Sequence, residues 1–158
     1  MKRVLLLVFG LMFLVGCQEG DRSAEDETAV APAIVEIDQV TVGSLTMTLL
    51  HSTSGAMMVH SASSDTLALS IPIPCSFNRD SVGNIRVVER DGVHILLVEN
   101  STPDPDPANK GDCITWAQGI VIADGTLHVI PNPTNVAACP PLAWDEKVFT
   151  YYGEDFFE

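Results

Sequence analysis

From Ile34 onward, apolar and β-branched runs of about 5–9 residues alternate with turn residues, the pattern of an all-β domain. The runs predict strands over 34–42, 45–53, 56–60, 66–72, 84–90, 93–99, 114–123, 126–130 and 147–152. None sustains a helical period, and only Pro141 to Lys147 has room for a helical turn. Two Asp-Gly pairs, Asp91-Gly92 and Asp124-Gly125, suit two-residue turns in which both positions take φ > 0. Such turns set the register. In the first hairpin Arg90 opposes Val93, Glu89 opposes His94, Val87 opposes Leu96 and Ile85 opposes Val98. One face then carries Ile85, Val87, Leu96 and Val98. The other mixes Val88, Val93, Ile95 and Leu97 with Arg86, Arg90 and Glu99. In the second hairpin Ile122 opposes Leu127 and Ile120 opposes Val129, with Ile114 and Trp116 extending that apolar face and Gly119, Ala123, Thr126 and His128 on the other. Two ribbons that each have one apolar side bury those sides against each other. The expected fold is an antiparallel β-sandwich, or a partly open barrel, built from sequential hairpins.

Two local features refine this picture. Ser54-Gly55 reads as a third tight turn, placing His51 opposite Met58 and Leu49 opposite His60. In 34–42 the apolar positions change parity between Ile37 and Val40, which marks a bulge.

The first 33 residues follow a different pattern. Lys2 and Arg3 precede an apolar run of twelve, Val4 to Val15. A span of the bilayer needs about 20 such residues, whereas a secretory signal needs only 7–15. The run ends Leu14-Val15-Gly16-Cys17, which resembles the lipobox of bacterial lipoproteins. That resemblance implies lipidation of the Cys17 thiol, cleavage after Gly16 and acylation of the new amine, hence a membrane partner reached through the anchor at Cys17. Gln18, where enteric-type lipoproteins retained in the inner membrane carry Asp, points to the outer membrane of the cell envelope. Residues 17–33 hold Glu19, Asp21, Glu25, Asp26 and Glu27 with too little apolar surface to fold, and read as an acidic tether. The expected organisation is a signal peptide over 1–16, the tether over 17–33 and a single all-β domain over 34–158.

Charge and cysteine count narrow the chemistry. The net charge is −13, and losing Lys2 and Arg3 with the leader makes it two units more negative. Such a field repels nucleic acid and favours cationic partners or divalent ions. With Cys17 lipidated, Cys75, Cys113 and Cys139 remain, enough for one disulfide and one thiol. Cys113 and Cys139 straddle the second hairpin nearly symmetrically and are the preferred pair. Cys75 and Cys113 straddle the first less symmetrically and are the alternative.

Four groups of side chains bear on chemistry. His51, Met58 and His60 share one face if the Ser54-Gly55 turn holds, and imidazole with thioether suits copper; the same residues also serve as core filler. His94 opposes Glu89, so a local charge-assisted pair accounts for it. Asp104, Asp106 and Asp112 in the loop after Ser101 offer oxygen ligands for calcium, but each following proline holds its Asp extended, as in a stiff surface loop. Ser54-Gly55-Ala56 is similar to a short motif of lipoprotein lysozyme inhibitors, and three residues carry no site with them. GxSxG, HExxH, zinc-type cysteine spacings and Gly-rich phosphate loops do not occur. The sequence therefore leads to a non-catalytic binding or structural lipoprotein without a cofactor, displayed to an envelope protein partner. A copper-binding lipoprotein and a lysozyme-inhibitor-like protein are the alternatives.

Overall fold

Asp91 and Gly92 take φ of 53° and 79°, and Asp124 and Gly125 take 51° and 71°, so both pairs form the turns their sequence favours. In the computed structural model, which describes residues 33–60, 63–136, 139 and 144–157, these turns organise two antiparallel sheets. The first is a four-stranded meander of β1 (Val35–Val42), β2 (Leu45–Ser52), β3 (Gly55–His60) and β4 (Ser63–Ala68). The second is centred on two long strands, β7 (Val93–Pro103) and β8 (Cys113–Ala123). Short strands line their free edges: β5 (Ser76–Phe77) and β6 (Val88–Arg90) along β7, β9 (Thr126–Val129) and β10 (Thr134–Val136) along β8. The domain is thus the antiparallel all-β sandwich that the hairpin pattern predicts.

Most of the predicted register holds. Arg90 pairs with Val93 and Glu89 with His94, while Ile122 pairs with Leu127 and Ile120 with Val129. The parity change in β1 is a register shift between Glu36 and Asp38. There Asp38 meets Arg79 at 2.6 Å, linking β1 to the segment after β5.

Four expectations need correction. The turn between β2 and β3 is Thr53-Ser54, with Ser52 paired to Gly55 and His51 to Ala56. The Ser52 hydroxyl closes this loop, meeting the Ser54 hydroxyl at 2.7 Å and accepting the Ser54 N–H at 3.1 Å. Every cross-strand pair therefore moves by two residues, although the inward and outward faces stay as predicted.

The 84–90 strand is cut to Val88–Arg90. Residues 78–86 form their own small ribbon, in which Arg86 N–H donates to the Asn78 carbonyl and Asp80 N–H to that of Asn84. β5 takes the freed edge of β7, pairing Phe77 with Val98. Val87 is consequently exposed instead of core. Trp116, also expected in the core, is exposed on β8, where it opposes Asn100 and Asn135 beyond the apolar part of the sandwich.

The 147–152 segment is a helix, α1 (Glu146–Gly153). The Asp145 carboxylate accepts the Lys147 N–H at 3.0 Å and caps its start. Val148, Phe149, Thr150, Tyr151 and Tyr152 are β-branched or aromatic residues with strand propensity. Packing overrides it: Phe149 and Tyr152, three apart on one face, are buried on the outer side of the second sheet.

The helix makes a third layer. Leu96, Val98, Ile120 and Ile122 face the first sheet, where Met47, Leu49, Met58 and Phe77 complete the inner core. Val93, Ile95, Leu97, Ala117 and Val121 face the helix, with Trp144, Phe149 and Tyr152 over them. The mixed outer face of the first hairpin is thereby covered by the chain's own C-terminal segment. Its two arginines serve the cover: Arg86 donates to the Trp144 carbonyl and lies 4.6 Å from the Phe149 ring, and Arg90 lies 4.7 Å from that of Phe157.

Two contacts set the spacing of the layers. Gly119 lies so close to the Tyr152 side chain that a Cβ there would meet its Cβ and ring carbons at 2.7–2.8 Å. On the opposite face of β8, the buried Gln118 side chain accepts from Ser70 N–H and Ile71 N–H at 2.9 and 3.1 Å and donates to the Ile130 carbonyl at 2.7 Å. Overpacking a close contact destabilises by about 1–3 kcal/mol, and Gly119→Ala is expected to lower the urea unfolding free energy by that amount while far-UV circular dichroism stays unchanged. Gln118→Leu strands the buried Ile71 N–H and removes the partners of the Ser70 N–H and the half-buried Ile130 carbonyl, so a loss of about 1–3 kcal/mol is expected in the same measurement.

Candidate functional site

Beyond the sandwich, β7 and β8 run on as a two-stranded arm whose loop carries the Pro-Asp repeats. The loop is braced by its own carboxylates. Asp104 accepts the Asp106 N–H at 2.8 Å and the Asn109 side-chain amide at 3.1 Å. Asp106 accepts the Ala108 N–H at 2.9 Å and caps a 3-10 turn over Pro107–Asn109. The disulfide joins Cys113, at the start of β8, to Cys139, with Cα atoms 5.5 Å apart. Loop and disulfide border an open groove of about 720 Å³, walled by Ser101, Thr102, Asp104, Lys110 and Asp112 as well as the cysteines. Hydroxyls and carboxylates stand in its wall, while the larger share of its surface is apolar. Among the described residues no three His, Cys, Asp or Glu side chains converge as metal ligands. The three aspartates considered for calcium instead shape the loop that forms the groove wall.

The predicted metal trio does not assemble. His51 pairs with Ala56 and His60 with Met47, so the two histidines are separated by four positions along the ladder, roughly 13 Å at 3.3 Å per residue. Met58 is fully buried opposite Leu49, between them. The Nδ1 of His60 is buried and has no hydrogen-bond partner among the described residues. Shared facing was legible in the sequence, but the two-residue shift at the Thr53-Ser54 turn changes which side chains are neighbours.

His51 instead meets Cys75, the free cysteine that lies just before β5. Its Nε2 lies 3.2 Å from the Cys75 sulfur and accepts the Cys75 N–H at 3.3 Å. With Nε2 as acceptor, the neutral ring carries its proton on Nδ1. Burial pushes the Cys75 thiol up to about 11, so the sulfur is protonated at neutral pH. Sequence reasoning missed this pair because the two residues are 24 positions apart and belong to different layers. The only available signal was that Cys75 is left over once Cys113 and Cys139 pair. Asn100 secures the same corner by donating to the Pro74 carbonyl at 2.7 Å.

A second groove, of about 320 Å³, has Cys75, Ser76, Glu99 and Ser101 in its wall. Burial raises the Glu99 carboxyl above its usual range, and a 2.9 Å hydrogen bond from the Asn78 amide partly opposes the shift. The remaining histidines have local partners: His94 Nδ1 lies 3.8 Å from the Glu89 carboxylate, as the hairpin register predicts, and His128 lies against Phe156 at 4.9 Å. Cys17, the expected lipidation site, lies outside the described residues.

A carboxyl more easily protonated in the folded chain than in the unfolded one favours the fold in acid. That contribution is complete below the unfolded value, about 4.3 for glutamate, and is lost as pH rises through the higher folded value. Glu99→Gln, which keeps an oxygen for the Asn78 amide, is therefore expected to stabilise the protein at pH 7 and to leave it nearly unchanged at roughly pH 3. Urea melts at the two pH values check this. The chain was also compared with protein-family models, with curated proteins and with solved structures, and nothing matches it.

Proposed function

We propose that the protein is a lipid-anchored lipoprotein of the bacterial cell envelope, with its β domain held on an acidic tether as a non-catalytic binding module. The observation that carries this reading is Leu14-Val15-Gly16-Cys17 at the end of a twelve-residue apolar run behind Lys2 and Arg3. Two or more acyl chains on Cys17 would anchor the mature protein stably, since each buried CH₂ contributes about 0.8 kcal/mol. The Cys113–Cys139 disulfide supports an oxidising compartment outside the cytoplasm. Gln18 favours the outer membrane.

The hydroxyl- and carboxylate-lined groove beside that disulfide is the surface we assign to ligand or partner contact. Its carboxylates accept hydrogen bonds from their own loop, an arrangement that suits a preformed recognition surface more than acid–base chemistry. The strongly negative charge favours a partner with a basic surface.

Growth with labelled palmitate tests the anchor. Wild-type protein is expected to take up label, to begin at Cys17 and to sediment with envelopes. Cys17→Ser is expected to lose the label and keep its leader. A mature chain that begins elsewhere, or a label that survives the substitution, would overturn the proposal.

A further inference from the structure

The outer edge of β7 opens at Ser101. Residues of an antiparallel ladder turn their backbone N–H and C=O groups alternately toward one neighbouring strand and the other. The Leu97 carbonyl accepts the Asn78 N–H at 2.8 Å, and the carbonyl of Gly119, opposite Leu97, accepts the Ile130 N–H at 3.0 Å. Both bonds run outward from the β7–β8 pair, so Leu97, Glu99 and Ser101 all point their backbone groups away from β8. β5 meets this edge only with Ser76 opposite Glu99 and Phe77 opposite Val98. In the same register the place opposite Ser101 would fall to Pro74, which has no N–H to give. The Pro74 carbonyl is taken instead by the Asn100 side chain. Asn100 faces the first sheet, as Leu96 and Val98 do, so the crossing chain reaches β7 from that side and not along its edge. Among the described residues, the Ser101 N–H and C=O have no hydrogen-bond partner. Two grooves meet here, and Ser101 stands in the wall of both.

We propose that the Ser101–Pro103 edge of β7 is a docking site for an extended, basic segment of a partner protein, which pairs there as an added strand. This rests on the assignment of the larger groove to partner contact and not on the anchor at Cys17.

Two features select the partner. An open strand edge presents backbone donors and acceptors at a spacing that another extended backbone matches. The Ser101 N–H needs an acceptor, and the Ser101 and Pro103 carbonyls, which alternate to the same side, need donors. Charge then chooses among extended segments. The wall of the larger groove carries the carboxylates of Asp104, Asp106 and Asp112 against the ammonium of Lys110, in a chain of net charge −13. Lys or Arg at alternate positions of the added strand would lie along that wall, while a second copy of this acidic chain would be repelled. Pro103 keeps the site short, because an edge without an N–H does not template further pairing.

The test follows backbone amides of the full chain in detergent by NMR. In the free protein the Ser101 amide is expected to exchange with solvent at least roughly 10-fold faster than those of Asn100 and Thr102, which face β8. The probe is an end-blocked heptapeptide of alternating Lys and Val. Its addition is expected to slow exchange at Ser101 and to shift the amides of Asp104 and Asp112. A twin N-methylated at every amide keeps the side chains, loses the donors and is expected to bind at least roughly 10-fold more weakly. Ser101→Pro should weaken the unmethylated peptide by a similar factor and still fold, because proline is tolerated where a strand N–H faces solvent. Should thermal melts show this variant unfolded, protection of the wild-type Ser101 amide by the peptide decides. A Ser101 amide already protected in the free chain, equal affinity of the two peptides, or affinity unchanged by Ser101→Pro overturns the proposal. Shifts at Asp104 and Asp112 without protection at Ser101 also overturn it, while leaving the groove a surface for charge-driven contact. Absence of any shift at the groove overturns both readings.

Discussion

The pairing of β7 with β8 is the constraint from which the remaining layers follow. The ladder runs without a register break from His94↔Ile122 to Pro103↔Cys113, and in its inner half both faces are apolar. Ile95, Leu96, Leu97 and Val98 are all fully buried, although alternate residues in a strand point to opposite sides. A strand pair of this kind cannot leave either face to water. One face collects the four-stranded meander and the other the C-terminal helix, so the domain needs three layers where a two-sheet sandwich would need two. Gly119 sets how near the helix can come, and the arginines on β6 and its approach hold the helix from the side.

Polar side chains within this apolar frame serve the segments that lack a ladder partner. Gln118 acts as a short surrogate strand, satisfying two backbone donors after β4, of which the Ile71 N–H is buried, and one carbonyl after β9. Asn100 does the same for the Pro74 carbonyl. The backbone before β5 is held by such side chains, and that holding delivers Cys75 to His51. Asp104 and Asp106 follow the same logic in the open, spending their oxygens on nearby N–H groups and thereby giving the large groove a defined wall.

The arrangement has a chemical consequence. Where polar residues brace the backbone, their reactivity is suppressed: the loop carboxylates are committed, and the Cys75 thiol is driven to its neutral form. The groove at one end of the second sheet and the sulfur–nitrogen contact beside the inner core are where such side chains gather.

Local rules read from the chain succeeded wherever the deciding contacts are close in sequence. The Asp-Gly turns, their hairpin registers, the bulge in β1 and the Glu89–His94 pairing all depend on the φ preferences of one or two residues and on a period of two. They failed where distant segments compete for one place. The 84–87 stretch lost the edge of β7 to β5, the Val148–Tyr152 run became a helix that lays Phe149 and Tyr152 over Ile95 and Leu97, and Trp116 fell exposed opposite Asn100 and Asn135. The site followed the same division. Sequence alone determined an all-β domain of hairpins, because its turn and period-two signals are local. Tertiary structure alone decided that His51 faces Cys75 and lies far from His60, because a two-residue shift at a turn and a crossing between layers are set by packing and not by any neighbour in the chain.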